Sequence, residues 1–254
     1  MKSFSFWVRA FFLMAAISVG LHGCKDKSDN YNVDYEYDYN PTDSGHYIIY
    51  DVDSIRYSAQ KTGNGGGYIQ KNDTAHYQLM ELYAGDFYDT LQGILKHRIE
   101  YYKRKNKDDA WQQDRVWWAT RTVTNFQRQE DDLKFVKLTF PPHEGETWNG
   151  TVFIPKTGQY EYLEGWNFKM TGVGVPQTIG SFNFSKTLLV THVDTDDDNL
   201  ISNQLSREVY AKGVGIVYKE WDFIEKQDVL SNWDNPLNSN GFRIRMRVAD
   251  YAPR

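Results

Sequence analysis

One cysteine, Cys24, stands in 254 residues, so no intramolecular disulfide can form and the fold must rest on its core alone. The N-terminal apolar run, Ala10 to Leu21, falls short of the roughly 20 residues that a permanent transmembrane helix needs. Helical periodicity is scarce along the rest of the chain, which argues against a helix bundle. The usual signatures of reaction chemistry are missing as well. The glycines at 63 and 65–67 do not lead into Gly-Lys-Ser or Gly-Lys-Thr, and no Gly-x-Ser-x-Gly elbow occurs. His143 and Glu144 sit in HEGET, without the second histidine that a zinc helix requires. No motif calls for a cofactor. The formal charge of -5 gives the chain no reason to seek nucleic acid.

The N-terminus carries the plainest signal. Lys2 and Arg9 mark a charged start without an acid, and an uncharged run of signal-peptide length follows. It stops at Leu21-His22-Gly23-Cys24, which resembles the lipobox of bacterial lipoproteins, with His22 where a small or aliphatic residue is usual. The resemblance implies a signal peptide over 1–23, cleavage before Cys24 and lipid on that cysteine. Loss of Lys2 and Arg9 with no acid leaves the mature chain two charges more negative. Lys25-Asp26-Lys27-Ser28-Asp29 loosely resembles the charged segment that sends some Bacteroidota lipoproteins to the cell surface. Residues 24–45 are polar and rich in Asp, Asn and Tyr, so a disordered tether is expected there and one domain over 46–254.

That domain reads as all-β. Aromatics make up 16% of the chain, and turn formers recur between short apolar stretches. Ten or more strands are expected, at Tyr47–Val52, Ala75–Met80, Arg98–Lys103, Trp117–Thr124, Leu133–Phe140, Thr151–Ile154, Trp166–Val173, Lys186–Val193, Val209–Lys219 and Phe242–Val248. In Leu133–Phe140, alternation places Leu133, Phe135 and Lys137 on one face and Val136, Leu138 and Phe140 on the other, as in a strand covered on both sides. Hairpin connections are expected at 63–67, 141–145 and 195–199, and a helical turn within 200–208. An antiparallel meander curled into a strongly curved sheet, a sandwich or a half-barrel or closed barrel follows.

Sites are fewer than strands. Asp194, Asp196 and Asp198 fall at the first, third and fifth positions of a calcium loop, but Asn199 and Leu205 stand where an EF-hand needs glycine and glutamate. A solvated acidic turn is the simpler reading. Carboxylate pairs such as Asp131 and Asp132, or Glu161 and Glu164, read as loop charges. Seven tryptophans lie beyond the signal, and such rings wall ligand pockets as readily as they fill cores. Adjacent Trp117 and Trp118 must point to opposite faces of a strand, so one of them is expected outside the core and together they are the ligand-binding candidates. Ser54, Thr74 and Thr90 lie in Asp-Ser/Thr-aliphatic tripeptides resembling the O-glycosylation sites of exported Bacteroidota proteins.

Three segments resemble a group of uncharacterised Bacteroidota lipoproteins. They are Tyr50-Asp51-Val52-Asp53-Ser54-Ile55, Phe135–Pro141 followed by Trp148-Asn149-Gly150, and Glu208–Trp221 with its YAKGVGIVYKE core. The resemblance implies an envelope location, at the outer membrane, and brings no activity with it. The expected function is a membrane-anchored, non-enzymatic module that binds an apolar or carbohydrate ligand. The alternatives are an assembly lipoprotein that binds a partner protein, and a hydrolase whose residues are dispersed.

Overall fold

A computed structural model describes residues 33–63, 67–195, 200–227 and 230–252. The chain divides into Met1–Asp34 and a compact unit, Tyr35–Arg254, which is described here.

The unit is one antiparallel sheet of twelve strands: β1 (Tyr47–Lys61), β2 (Tyr68–Asp89), β3 (Ile94–Arg104), β4 (Gln112–Arg121), β5 (Asn125–Glu130), β6 (Leu133–Thr139), β7 (Thr147–Trp148), β8 (Phe168–Ile179), β9 (Phe182–Asp194), β10 (Ser202–Ala211), β11 (Gly215–Lys226) and β12 (Ser239–Tyr251). Their spatial order is β6-β5-β4-β3-β2-β1-β12-β11-β10-β9-β8-β7. The first and last strands therefore pair in the middle, and each half meanders outward to an edge. The ladder does not close. The edges nevertheless meet, because the Val136 amide donates to the Gly150 carbonyl at 2.8 Å and the Trp148 indole donates to the Val136 carbonyl at 2.8 Å.

Alternation places Tyr50, Val52, Tyr83, Ile99, Tyr101, Phe126, Phe168, Leu188, Val190 and Tyr210 in one continuous core on the concave face. Each large side chain so buried contributes about 1.5–3 kcal/mol, and their spread over strands from both halves of the meander is what holds the sheet curled. The all-β meander and its strong curvature are as the sequence implies.

Several boundaries differ from expectation. The ordered unit begins at Tyr35 rather than near His46, because tyrosines in the supposed tether have a core to enter. Tyr39 is 1% exposed, Asn40 donates to the Tyr83 hydroxyl at 2.9 Å, and the Gly213 amide donates to the Asp38 carbonyl at 2.7 Å. This segment closes the end of the curled sheet that carries the β4–β5 and β10–β11 turns. Val209–Lys219 is two strands, since Lys212 to Val214 make the β10–β11 turn and Gly213 takes a positive φ of 82° there. Residues 202–208 are strand rather than helical turn. Thr151–Ile154 is a turn, in which the Ile154 amide bonds the Thr151 carbonyl at 2.9 Å.

Strand β6 breaks strict alternation. Phe126 pairs with Leu138 and Gln127 with Val136, which leaves Lys137 unmatched in a β-bulge. Phe135, Leu138 and Phe140 thus join the core cluster, Val136 does not, and Lys137 still turns inward.

Candidate functional site

The end opposite the Tyr39 plug is open, and the concave face leads there into a cavity of about 270 Å³. Beside Phe135 of β6, indole and phenol rings wall it: Trp117 from β4, Trp221 from β11, and Tyr162 and Trp166 from the segment that crosses between β7 and β8. Each is held in place. The Trp117 indole donates to Asp131 at 3.0 Å and that of Trp166 to Gln204 at 3.1 Å, while Trp221 meets Phe242 edge-on at 4.8 Å between centroids. Tyr162 lies edge-on to both Trp166 and Phe223.

The floor is ionic. Lys137 reaches Glu208 at 2.8 Å and Glu130 at 3.5 Å, and Lys219 reaches Glu208 at 3.1 Å. Tyr210 donates to the second Glu208 oxygen at 2.7 Å. Behind this group Arg128 pairs with Glu81 at 2.5 Å, and the Tyr101 hydroxyl also donates to Glu81. Charges this deep are tolerated only when paired. Against burial, which pushes it up, Lys137 and Lys219 hold the Glu208 carboxyl well below the usual range, and against the same burial Lys137, Lys219 and Arg128 lower that of Glu130. Burial pulls Lys219 down, but Glu208 and Glu130 outweigh it and raise its ammonium. The cavity floor is thus built from two lysines, Lys137 and Lys219, paired with two carboxylates, Glu130 and Glu208.

His192 completes it. Its imidazole stacks on Phe168 at 4.1 Å, Nδ1 lies 3.0 Å from the Ser206 hydroxyl, and Nε2 lies 3.5 Å from Glu208 without making a hydrogen bond. Burial, reinforced by Lys137, pushes its pKa down to about 4, so the ring is neutral at physiological pH. Arg128 Nε, 3.6 Å from Glu130, and Nη1 likewise make no hydrogen bond. Lys137 and His192 share an origin. Alternation carries both inward, Lys137 with Leu133 and Phe135 and His192 with Leu188 and Val190, and each stands unmatched at a β-bulge, His192 where Ser206 pairs with Val193 and Arg207 with Thr191.

Of the sequence candidates, Trp117 lines the cavity and Trp118 does not. Trp118 points to the outer face, packs edge-on against Phe87 at 4.7 Å, and borders a hollow of only about 70 Å³. Asp196, Asp198 and Cys24 lie outside the described residues, and Asp194 ends β9 at the rim. Among the described residues no group of three or more His, Cys, Asp or Glu side chains is placed to hold a metal ion. Thr90 is exposed in the β2–β3 turn and Thr74 is exposed on β2, whereas Ser54 is half-buried in the β1 ladder. A larger groove of about 720 Å³ lies beside the tip of the β3–β4 hairpin, where Lys103 sits 3.8 Å over the Tyr77 ring and Arg104 donates to Gln78 at 2.8 Å.

Sequence reasoning missed Glu130, Lys137, His192, Glu208 and Lys219. One signal was present: a lysine inside a strand read as covered on both faces demands a buried carboxylate partner. Among the described residues no helix is long and apolar enough to cross a membrane. No family model, curated protein or solved structure matches this chain.

Proposed function

We propose that this chain is a lipid-anchored protein of the bacterial outer membrane that holds a small ligand in its open end without turning it over. The observation that carries the binding reading is the cavity: fixed aromatic walls over a preformed polar floor, the usual make-up of small-molecule sites. Anchorage rests on the charged start, apolar run and Leu21–Cys24 lipobox.

Turnover is disfavoured by the state of the carboxylates. Glycoside hydrolysis needs a protonated carboxyl beside an ionised one, and Glu130 and Glu208 are both held ionised by their lysines. Assembly by strand addition is disfavoured at the β6 edge. There the Val136 amide and carbonyl are already bound to Gly150 and Trp148, leaving less of that ladder for another chain.

Three experiments test the reading. Palmitate labelling of cells should mark the wild type and not Cys24→Ala, and protease shaving of intact cells should tell a surface-exposed protein from a periplasmic one. Thermal shift across fatty acids and oligosaccharides should find stabilisers that a mouth-filling Leu133→Trp variant no longer answers. An equal response from both proteins would remove the binding site from the open end.

A further inference from the structure

From the charge balance of the floor, we infer that the ligand is an uncharged saccharide, held with its ring faces on the indoles and its hydroxyls on the floor. This rests on the binding reading above and names the ligand class for the same cavity. Lys137 and Lys219 face Glu130 and Glu208, two charges of each sign, Arg115 and Asp131 add one more of each to the lining, and the neighbouring imidazole is neutral. An anionic ligand brought to such a floor finds its attraction to the lysines cancelled by two carboxylates that cannot move away, and a cation meets the converse.

A hydrocarbon is excluded by a different cost. The side chains of Glu130 and Lys219 keep 16% and 17% exposure, reached through the cavity. Covering an ammonium and a carboxylate with methylene groups strips that hydration and returns no hydrogen bond. Sugar hydroxyls return both kinds, donating to Glu130 and accepting from Lys219. His192 lines the same space, with its Nε2 held 3.5 Å from Glu208. The walls agree, since the weakly polar C–H faces of a pyranose lie well on the π faces of Trp117 and Trp221.

The test is titration calorimetry on the full lipidated chain in detergent micelles. Cellobiose, maltose, xylobiose and chitobiose serve as neutral probes, digalacturonate as the acidic probe and palmitate as the apolar one. At least one neutral disaccharide should bind, weakened about tenfold by Trp221→Ala and abolished by Leu133→Trp. Glu130→Gln leaves the floor with one positive charge in excess, and digalacturonate should then gain about tenfold or more over the neutral sugars. Lys219→Met should not produce that gain. Binding of palmitate alone overturns the saccharide assignment and leaves the cavity a ligand site. Wild-type preference for digalacturonate overturns the charge argument in the same way. If no probe binds wild type while circular dichroism shows it folded, the inference and the binding reading fall together.

Discussion

The Lys137 ammonium lies 2.8 Å from Glu208, joining an edge strand of the sheet to β10 across the concave side. Glu208 has no exposure, and Lys137 and Lys219 are the cations in contact with it. The pair thus links two distant parts of one meander at a point where neither charge can reach water.

Removing one partner should cost more than removing both. Lys137→Met leaves a buried carboxylate with half its compensation, and stability should fall by about 3–5 kcal/mol. Adding Glu208→Leu to it should recover a large part of that loss, because the uncompensated charge goes with it. Urea denaturation of the three proteins measures the coupling. Losses that simply add would mean that the two groups act independently.

Acid should weaken the fold before any carboxylate is expected to titrate. Above pH 6.5 His192 is neutral in both folded and unfolded chains and adds no pH dependence. Below it the unfolded chain takes up a proton that the buried ring, with its pKa near 4, refuses. Stability therefore drops as pH falls, by about 2 kcal/mol at pH 5. Glu130 and Glu208, whose folded pKa values are depressed, add to the loss once pH passes below the ordinary carboxylate range. Glu81, raised by burial, acts in the opposite sense and offsets part of it. His192→Gln should flatten the profile between pH 6.5 and 5, read from denaturation midpoints, and an unchanged slope would assign the loss elsewhere.

The fold was legible because period-two alternation in stretches such as Tyr47–Val52 reports directly which face is buried. The site was not. Alternation does put Lys137 with Leu133 and Phe135, and His192 with Leu188 and Val190, but the carboxylates that meet Lys137 come from Glu130 and Glu208 on other strands, and one strand's residues do not reveal its partners. The bulge opposite Phe126 and Gln127 adds Leu138 to the same side, which alternation alone assigns to the other. Trp117 and Trp118 worked the other way: their adjacency alone required one ring on each face.

The tether boundary failed on composition. Tyr35, Tyr37 and Tyr39 lie in a polar run, yet Tyr37 donates its hydroxyl to the Val123 carbonyl at 2.9 Å and Tyr39 is buried. A chain starting at residue 35 should fold like the mature protein. One starting at His46 should lose several kcal/mol, with about 3–5 kcal/mol of it reproduced by Tyr39→Ala alone. Thermal melts of the two truncations decide the boundary, and equal melting temperatures would return residues 35–45 to the tether.

The seam between the sheet's edges rests on a residue without a side chain. A Cβ on Gly150 would stand 2.4 Å from the Phe168 ring, a core side chain with no room to yield because Trp148, Trp166 and His192 pack around it. Gly150→Ala should therefore push the 149–151 segment outward and stretch the bond from the Val136 amide to the Gly150 carbonyl. The expected outcome is a loss of about 1–3 kcal/mol, accompanied by faster hydrogen exchange at Val136 and at the Trp148 indole, whose acceptor is the Val136 carbonyl. The β1–β12 amides at the centre of the sheet should keep their protection relative to global unfolding. Uniform acceleration across all strands would instead mean that the edges contribute only to overall stability, and that the sheet has no separately opening seam.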